Sequence, residues 1–166
     1  MDVSLRGFSM PTVFRKGNAV SAVINGEIDV LLHCANCQAL MGSGIAAEIA
    51  ERIPSARQVD YEYASAMGRT RQMLGTYSSA LVNGEGSGKV FNLYGQFQPG
   101  LAKRALNYGA ITAALLKVKA TLDPLTIVGI PYKMGCDRAG GDWDIMLEIV
   151  EFVFRDTLLV IYSLDN

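Results

Sequence analysis

Histidine occurs once in these 166 residues, as His33, and cysteine three times, as Cys34, Cys37 and Cys136. One histidine beside the Cys34-Ala-Asn-Cys37 spacing falls short of the four ligands of a structural zinc site, so neither a metal centre nor redox chemistry is expected. Three thiols cannot all pair within one chain, and they read as reduced, with Cys34 packing as a small hydrophobe. Charge is also scarce: charged residues make up 19% of the chain and the formal net charge is -1. With no field of one sign, nucleic acid is not expected as the main partner, and any phosphate recognition has to be local. No apolar run approaches the 18 residues of a membrane span, and the first ten residues hold no stretch fit for a signal peptide. The expectation is a cytoplasmic protein that touches no membrane, needs no cofactor, and contains no internal repeat or low-complexity linker.

Hydrophobic residues are plentiful, at 50% of the chain. A single domain spanning residues 1–166 is expected, hiding roughly 70% of the surface of its unfolded chain. Residues 28–34, Ile-Asp-Val-Leu-Leu-His-Cys, form a nearly continuous apolar run of the kind found in strands buried on both faces. Beyond Gly42 and Gly44, Ile45, Ile49 and Ile53 recur every four residues, which predicts a helix ended by Pro54. Residues 60–73 are polar with scattered aromatics and fit helix or loop. Residues 75–82 and 89–94 flank a glycine-rich turn at 83–88 and predict two strands joined by it.

Helical spacing runs from 101 to 120 and stops before Pro124. Residues 126–130 form another buried-strand candidate, 143–155 a helix, and 158–164 a final strand. Residues 12–14 and 18–24 read as antiparallel additions. The alternation predicts an α/β fold, a three-layer α/β/α sandwich around a mixed, largely parallel central sheet.

Ligands of such sheets bind outside the carboxyl ends of the strands. Two unusual loops leave that end, residues 36–47 and residues 131–143. In the first, Met41, Gly42, Ser43, Gly44, Ile45 and Ala46 lead into a helix, whose unpaired N–H groups can face a phosphate. In the second, Pro131, Met134, Gly135, Cys136, Asp137, Arg138, Ala139, Gly140 and Gly141 provide another glycine-lined wall. Asn36 can either contact a ribose or cap its own turn through local backbone bonds. His33 is either a satisfied core histidine or a group that orients the ligand or transfers a proton.

Asp137 is the charged loop residue without a structural excuse, whereas Asp142 stands where a helix N-cap belongs. Tyr94, Phe97, Tyr132 and Trp143 lie near strand ends, as core caps or stacking surfaces, and Gln96 reads as a polar lip. With no metal cluster or nucleophile triad, attack of water on a phosphorus or an anomeric carbon is the mechanism that remains.

Three segments together resemble the macro domain family: His33-Cys-Ala-Asn-Cys-Gln-Ala-Leu-Met-Gly-Ser-Gly-Ile-Ala, Phe91-Asn-Leu-Tyr-Gly-Gln, and Ile130-Pro-Tyr-Lys-Met-Gly-Cys-Asp-Arg-Ala-Gly-Gly-Asp-Trp. The likeness runs from about residue 17 to 164. It leans toward the branch holding the yeast and bacteriophage ADP-ribose 1''-phosphate phosphatases and the terminal ADP-ribose protein glycohydrolases. The resemblance implies ADP-ribose or ADP-ribose 1''-phosphate as ligand, and ADP-ribosylated protein as a further partner. It places Asn36 at the ribose and Met41 to Ala46 along the diphosphate and distal ribose, with Met134 to Gly141 as the second phosphate loop.

The activity so implied is removal of the terminal phosphate from ADP-ribose 1''-phosphate, with His33, Asn36 and Asp137 as catalytic candidates. The alternatives are binding without turnover and hydrolysis of ADP-ribosyl esters on proteins. The resemblance also implies an acidic residue near the adenine, sought among residues 12–25. The glycohydrolase branch uses a lysine after the middle strand and an aspartate in the second loop. This chain has Gln96 and Ala139 there, so a covalent lysine route is not expected.

Overall fold

A computed structural model of the chain describes residues 9–84, 86, 88–100 and 103–164. Six strands form one sheet: β1 (Val13–Lys16), β2 (Val30–Asn36), β3 (Tyr77–Leu81), β4 (Lys89–Gln96), β5 (Ile127–Pro131) and β6 (Leu158–Ser163). Their order across the sheet is β1-β6-β5-β2-β4-β3. Every neighbouring pair is parallel except β3 with β4. Among the described residues five α-helices cover it: α1 (Ala19–Asn25), α2 (Gly44–Arg52), α3 (Pro54–Ala66), α4 (Tyr108–Lys119) and α5 (Trp143–Val153).

The two faces of the sheet are buried separately, which makes the three layers. On one face Ile111, Ala114, Leu115 and Val118 of α4 and Met146, Val150 and Val153 of α5 pack against Val30, Leu32, Val128 and Ile130. On the other, Ala19, Val20 and Val23 of α1 and Ile49 of α2 pack against Leu31, Val90 and Val160. Successive strand residues point to opposite faces, so the apolar run Val30–Leu32 serves both cores.

Local chemistry corrects the sequence expectations at four places. Residues 18–24 form a helix, because the Asn18 side chain accepts the Ser21 N–H and Ala19, Val20, Ala22 and Val23 make a buried helical stripe. The strand before it, β1, lies parallel to β6. Pro54 does end α2, yet it also begins α3 at a first-turn position where the missing N–H has no consequence. The fourth helix starts at Tyr108, because Asn107 caps it and the Ala105 and Leu106 amides both donate to the Ala139 carbonyl. Leu101 and Ala102 of that expectation, and Glu85 and Ser87 of the glycine-rich turn, lie outside the described residues.

Candidate ligand-binding cleft

The sheet order sets β2 beside β5, so the loops that follow them open side by side at the carboxyl ends of adjacent central strands. The first loop is shaped by Asn36. Its Oδ1 accepts the Gln38 and Leu40 N–H groups at 3.0 and 3.2 Å, and its Nδ2 donates to the Leu40 carbonyl at 2.8 Å. Asn36 thus lines the cleft while its carboxamide holds the loop's own backbone. Gly44 then takes a left-handed φ of 58° as α2 begins.

The start of α2 is open. Asn18, Asn107 and Asp142 close the N-termini of α1, α4 and α5 with side-chain hydrogen bonds, but Ser43 makes none at α2. No acidic residue stands in its first turn. The first N–H groups of a helix lack intrahelical partners and carry partial positive charge. Here they belong to the segment Ser43, Gly44, Ile45 and Ala46, all of which line the cleft.

The second loop folds back on itself. Its backbone bonds run from Met134 N–H to Pro131 O, Cys136 N–H to Lys133 O and Gly141 N–H to Gly135 O. Gly135 and Gly140 both have φ of 74°, and a Cβ on Gly141 would collide with Leu106 and the Gly135 carbonyl. Asp142 Oδ1 accepts the Asp144 and Ile145 N–H groups at 2.9 and 3.3 Å. Its carboxylate therefore serves the helix. Asp137 and Arg138 are exposed on the loop, and the Asp137 side chain makes no hydrogen bond or ion pair among the described residues.

Beneath the loops the floor is polar. A register shift between Ala35 and Asn36 pairs Asn36 with Gln96 of β4. Gln96 Nε2 donates to the Gln98 carbonyl at 3.0 Å, and the Cys34 thiol donates to Gln96 Oε1 at 3.5 Å. Burial pushes the Cys34 thiol up to about 12, so it is no nucleophile near neutral pH. His33 is 0% exposed, and burial pulls its imidazole below the ordinary 6.5 against the raising effects of the Asn92 side chain and the Cys34 backbone. The neutral ring bonds Asn92 Oδ1 through Nε2 at 2.6 Å.

The cleft so bounded has a volume of about 1410 Å³, ample for a dinucleotide-sized ligand by the usual pocket range. Arg15, Lys16, Lys133 and Arg138 line it together with the carboxyl groups of Glu48, Asp60 and Asp137, so cations and acids share its walls. Among the described residues no helix is long and apolar enough to cross a membrane, and no group of His, Cys, Asp or Glu could hold a metal ion.

No protein-family model matches the chain, and no curated protein matches it. Solved structures do. A Bacteroides thetaiotaomicron protein of unknown function superposes with a TM-score of 0.78 at 21% identity, covering 92% of this chain and 98% of that one. The macrodomain of Mycobacterium tuberculosis DarG gives a TM-score of 0.74 at 20% identity, over 92% of this chain and 97% of that chain. The fold is that of a macrodomain. Thermosipho africanus DarTG, solved in complex with ADP-ribose, shares it over 95% of this chain and 43% of its own, with a TM-score of 0.73 at 11% identity.

On this macrodomain fold the residues marked in the sequence separate into two groups. His33, Asn36, Met41 to Ala46, Gln96, Pro131, Tyr132, Met134, Gly135, Asp137, Arg138 and Ala139 line the cleft. Tyr94, Phe97, Cys136, Gly140, Gly141 and Trp143 do not. Tyr94 is wholly buried and stacks on Tyr63 with ring centroids 5.2 Å apart, while Phe97 lies under the Arg71 guanidinium at 4.2 Å. Trp143 meets Tyr132 edge-on at 5.1 Å.

The cleft also holds groups that sequence reading passed over: Arg15, Lys16, Asn18, Glu48, Asp60 and Tyr162. Residues 12–25 contain no acidic side chain. The acid brought next to them is Glu48 of α2, bonded by Asn18. A glutamate on the exposed edge of an amphipathic helix gives no sequence signal of this position.

Proposed function

We propose that the cleft binds ADP-ribose, with its diphosphate against the start of α2. The observation that carries this is the uncapped N-terminus of α2, facing the cleft across from the second loop. A diphosphate there accepts the free N–H groups and meets the positive end of the helix. Arg15, Lys16, Lys133 and Arg138 outnumber the three acids Glu48, Asp60 and Asp137 of the lining and add a modest local attraction for an anion. The ADP-ribose complex of the similarly folded Thermosipho africanus protein supports the choice of nucleotide. Titration calorimetry tests it: ADP-ribose should bind with a Kd on the order of micromolar, about −8 kcal/mol, and more tightly than AMP. Equal affinity for AMP and ADP-ribose would overturn the placement of the diphosphate.

A hydrolytic use of the same cleft is favoured by one specific feature, the unengaged Asp137 carboxylate on the second loop. In ADP-ribose 1''-phosphate, a water oxygen would bond the terminal phosphorus as the phosphorus–oxygen bond to C1'' breaks. Asp137 would take the water proton, and the ribosyl oxygen would leave as a hydroxyl after gaining a proton from solvent. Release of inorganic phosphate tests this. Binding of ADP-ribose 1''-phosphate without release leaves a binding module. An ester-linked ADP-ribosyl protein, followed by mass loss, tests the ester hydrolase alternative.

A further inference from the structure

The chain that leaves β4 crosses from one wall of the cleft to the other. The first loop runs to α2 on one face of the sheet and the second loop to α5 on the opposite face, so each forms one wall. Residues 97–100 join them at the end over β4. The Phe97 carbonyl accepts the Cys37 N–H at 3.1 Å and a Gln38 Nε2 hydrogen at 3.3 Å, both from the first loop. Three residues on, Gly100 is buried against the second loop, where an added Cβ would collide with the Arg138 carbonyl. Only a residue without a side chain makes this approach. The Ala105 and Leu106 amides then bond the Ala139 carbonyl of the same loop at 2.9 and 3.0 Å. Pro99 and Gly100 line the cleft, so the crossing stands across its end as a strap.

The two ends of the cleft differ in consequence. Asn36, Gln96, Pro99, Gly100 and Ala139 surround the strapped end, with amides and small groups and no aromatic ring. At the other end, over the edge strand β1, Phe14 and Leu164 line the cleft and are 60% and 68% exposed. The start of α2 lies between them, after the central strand β2. A nucleotide with its diphosphate there sends one half toward each end. Adenine, a flat apolar ring, matches the exposed Phe14, which leaves the terminal ribose for the strapped end.

We propose that residues 97–100 are an end stop: the cleft admits ADP-ribose bearing no more than a small group on its terminal ribose and rejects ADP-ribose still attached there to a protein. Discrimination of this kind comes from a clash with the wrong ligand rather than from added contacts with the right one. The orientation rests on the ADP-ribose reading of the cleft, whereas the strap is a property of the backbone.

Calorimetry on the full chain with three probes tests the stop: ADP-ribose, ADP-ribose with a biotin linker on the adenine amino group, and ADP-ribose joined at C1'' to a short peptide through a serine oxygen. The adenine-linked probe should bind within about tenfold of ADP-ribose, and the peptide-linked probe roughly 100-fold more weakly or not at all. Equal affinity of the peptide-linked probe, or release of its peptide, would overturn the stop. Rejection of the adenine-linked probe alone would overturn the orientation, and rejection of both would overturn the open end. No binding of ADP-ribose itself would overturn the nucleotide reading and the orientation built on it. Gly100→Ala forces the strap off the Arg138 carbonyl and should narrow the gap between the two linked probes at least about tenfold. Gln38→Ala removes one bond to Phe97 with little risk to folding and should narrow it in the same direction. An unchanged gap in both folded variants would overturn the role of the strap.

Discussion

Asn18 Nδ2 reaches both carboxylate oxygens of Glu48, at 3.1 and 2.9 Å, and so ties the cap of α1 to the middle of α2. Arg52 holds the same carboxylate from the other side at 2.9 Å. Glu48→Ala should lower stability by about 1 kcal/mol, since the group is partly exposed and solvent replaces some of what is lost. Urea unfolding measures this. An unchanged midpoint would mean that the tie contributes nothing to the fold.

The open helix start can be tested against its neighbour in the same loop. A Cβ on Gly42 meets nothing within 4 Å and Gly42 needs no left-handed φ, whereas Gly44 has a φ of 58°. Gly42→Ala should therefore leave stability within about 0.5 kcal/mol, and Gly44→Ala should cost about 1–2 kcal/mol. Gly44→Val should also weaken ADP-ribose binding at least about tenfold, a loss of about 1.4 kcal/mol. Undiminished binding by a folded Gly44→Val protein would remove the diphosphate from this loop.

Two aspartates of the second loop should respond differently. Asp142→Ala removes the cap of α5 and should cost about 1 kcal/mol of stability, read by thermal unfolding, with ligand affinity little changed. Asp137→Ala should leave stability near the starting value. If phosphate is released from ADP-ribose 1''-phosphate, the Asp137 change should slow release by about 10²-fold or more with a much smaller effect on affinity. Equal losses in both would assign Asp137 to binding.

His33 also gives a pH signature. Because burial lowers its folded-state value below 6.5, the unfolded chain takes up the proton first as the pH falls. Stability from this group is complete above about 6.5 and declines as the pH drops toward the folded-state value. Asp60 has the opposite sign: burial raises it above 3.8, so its contribution is complete below that pH and is lost as the pH rises. His33→Gln should flatten the decline just below 6.5, as measured by denaturant unfolding across a pH series. A wild-type curve that rises with acid there would contradict the neutral buried ring.

The layers and both loops were legible in the sequence because their signals are local. Val30–Leu32 must be buried on both faces, and the glycines of both loops fall directly after such runs. Asp142 as a cap was equally local. The first helix was obscured by its own composition: Ala, Val and Ile fit a strand as well as a helix, and the Asn18 hydrogen bond decides between them. The buried hydrogen bonds joining His33, Asn92, Ser78, Tyr94 and Asp60 were not legible for a different reason. His33 and Asn92 are 59 residues apart, and Tyr94 and Asp60 are 34 apart. Their meeting depends on strand register and on the docking of α3, and no spacing rule carries either.

The antiparallel pairing of β3 with β4 has a practical consequence. Since β4 runs parallel to β2, the connection between β3 and β4 opens at the end of the sheet opposite the cleft. A tether attached at Gly84, whose added Cβ would meet nothing within 4 Å, can hold the protein on a support with the mouth of the cleft turned to the solution.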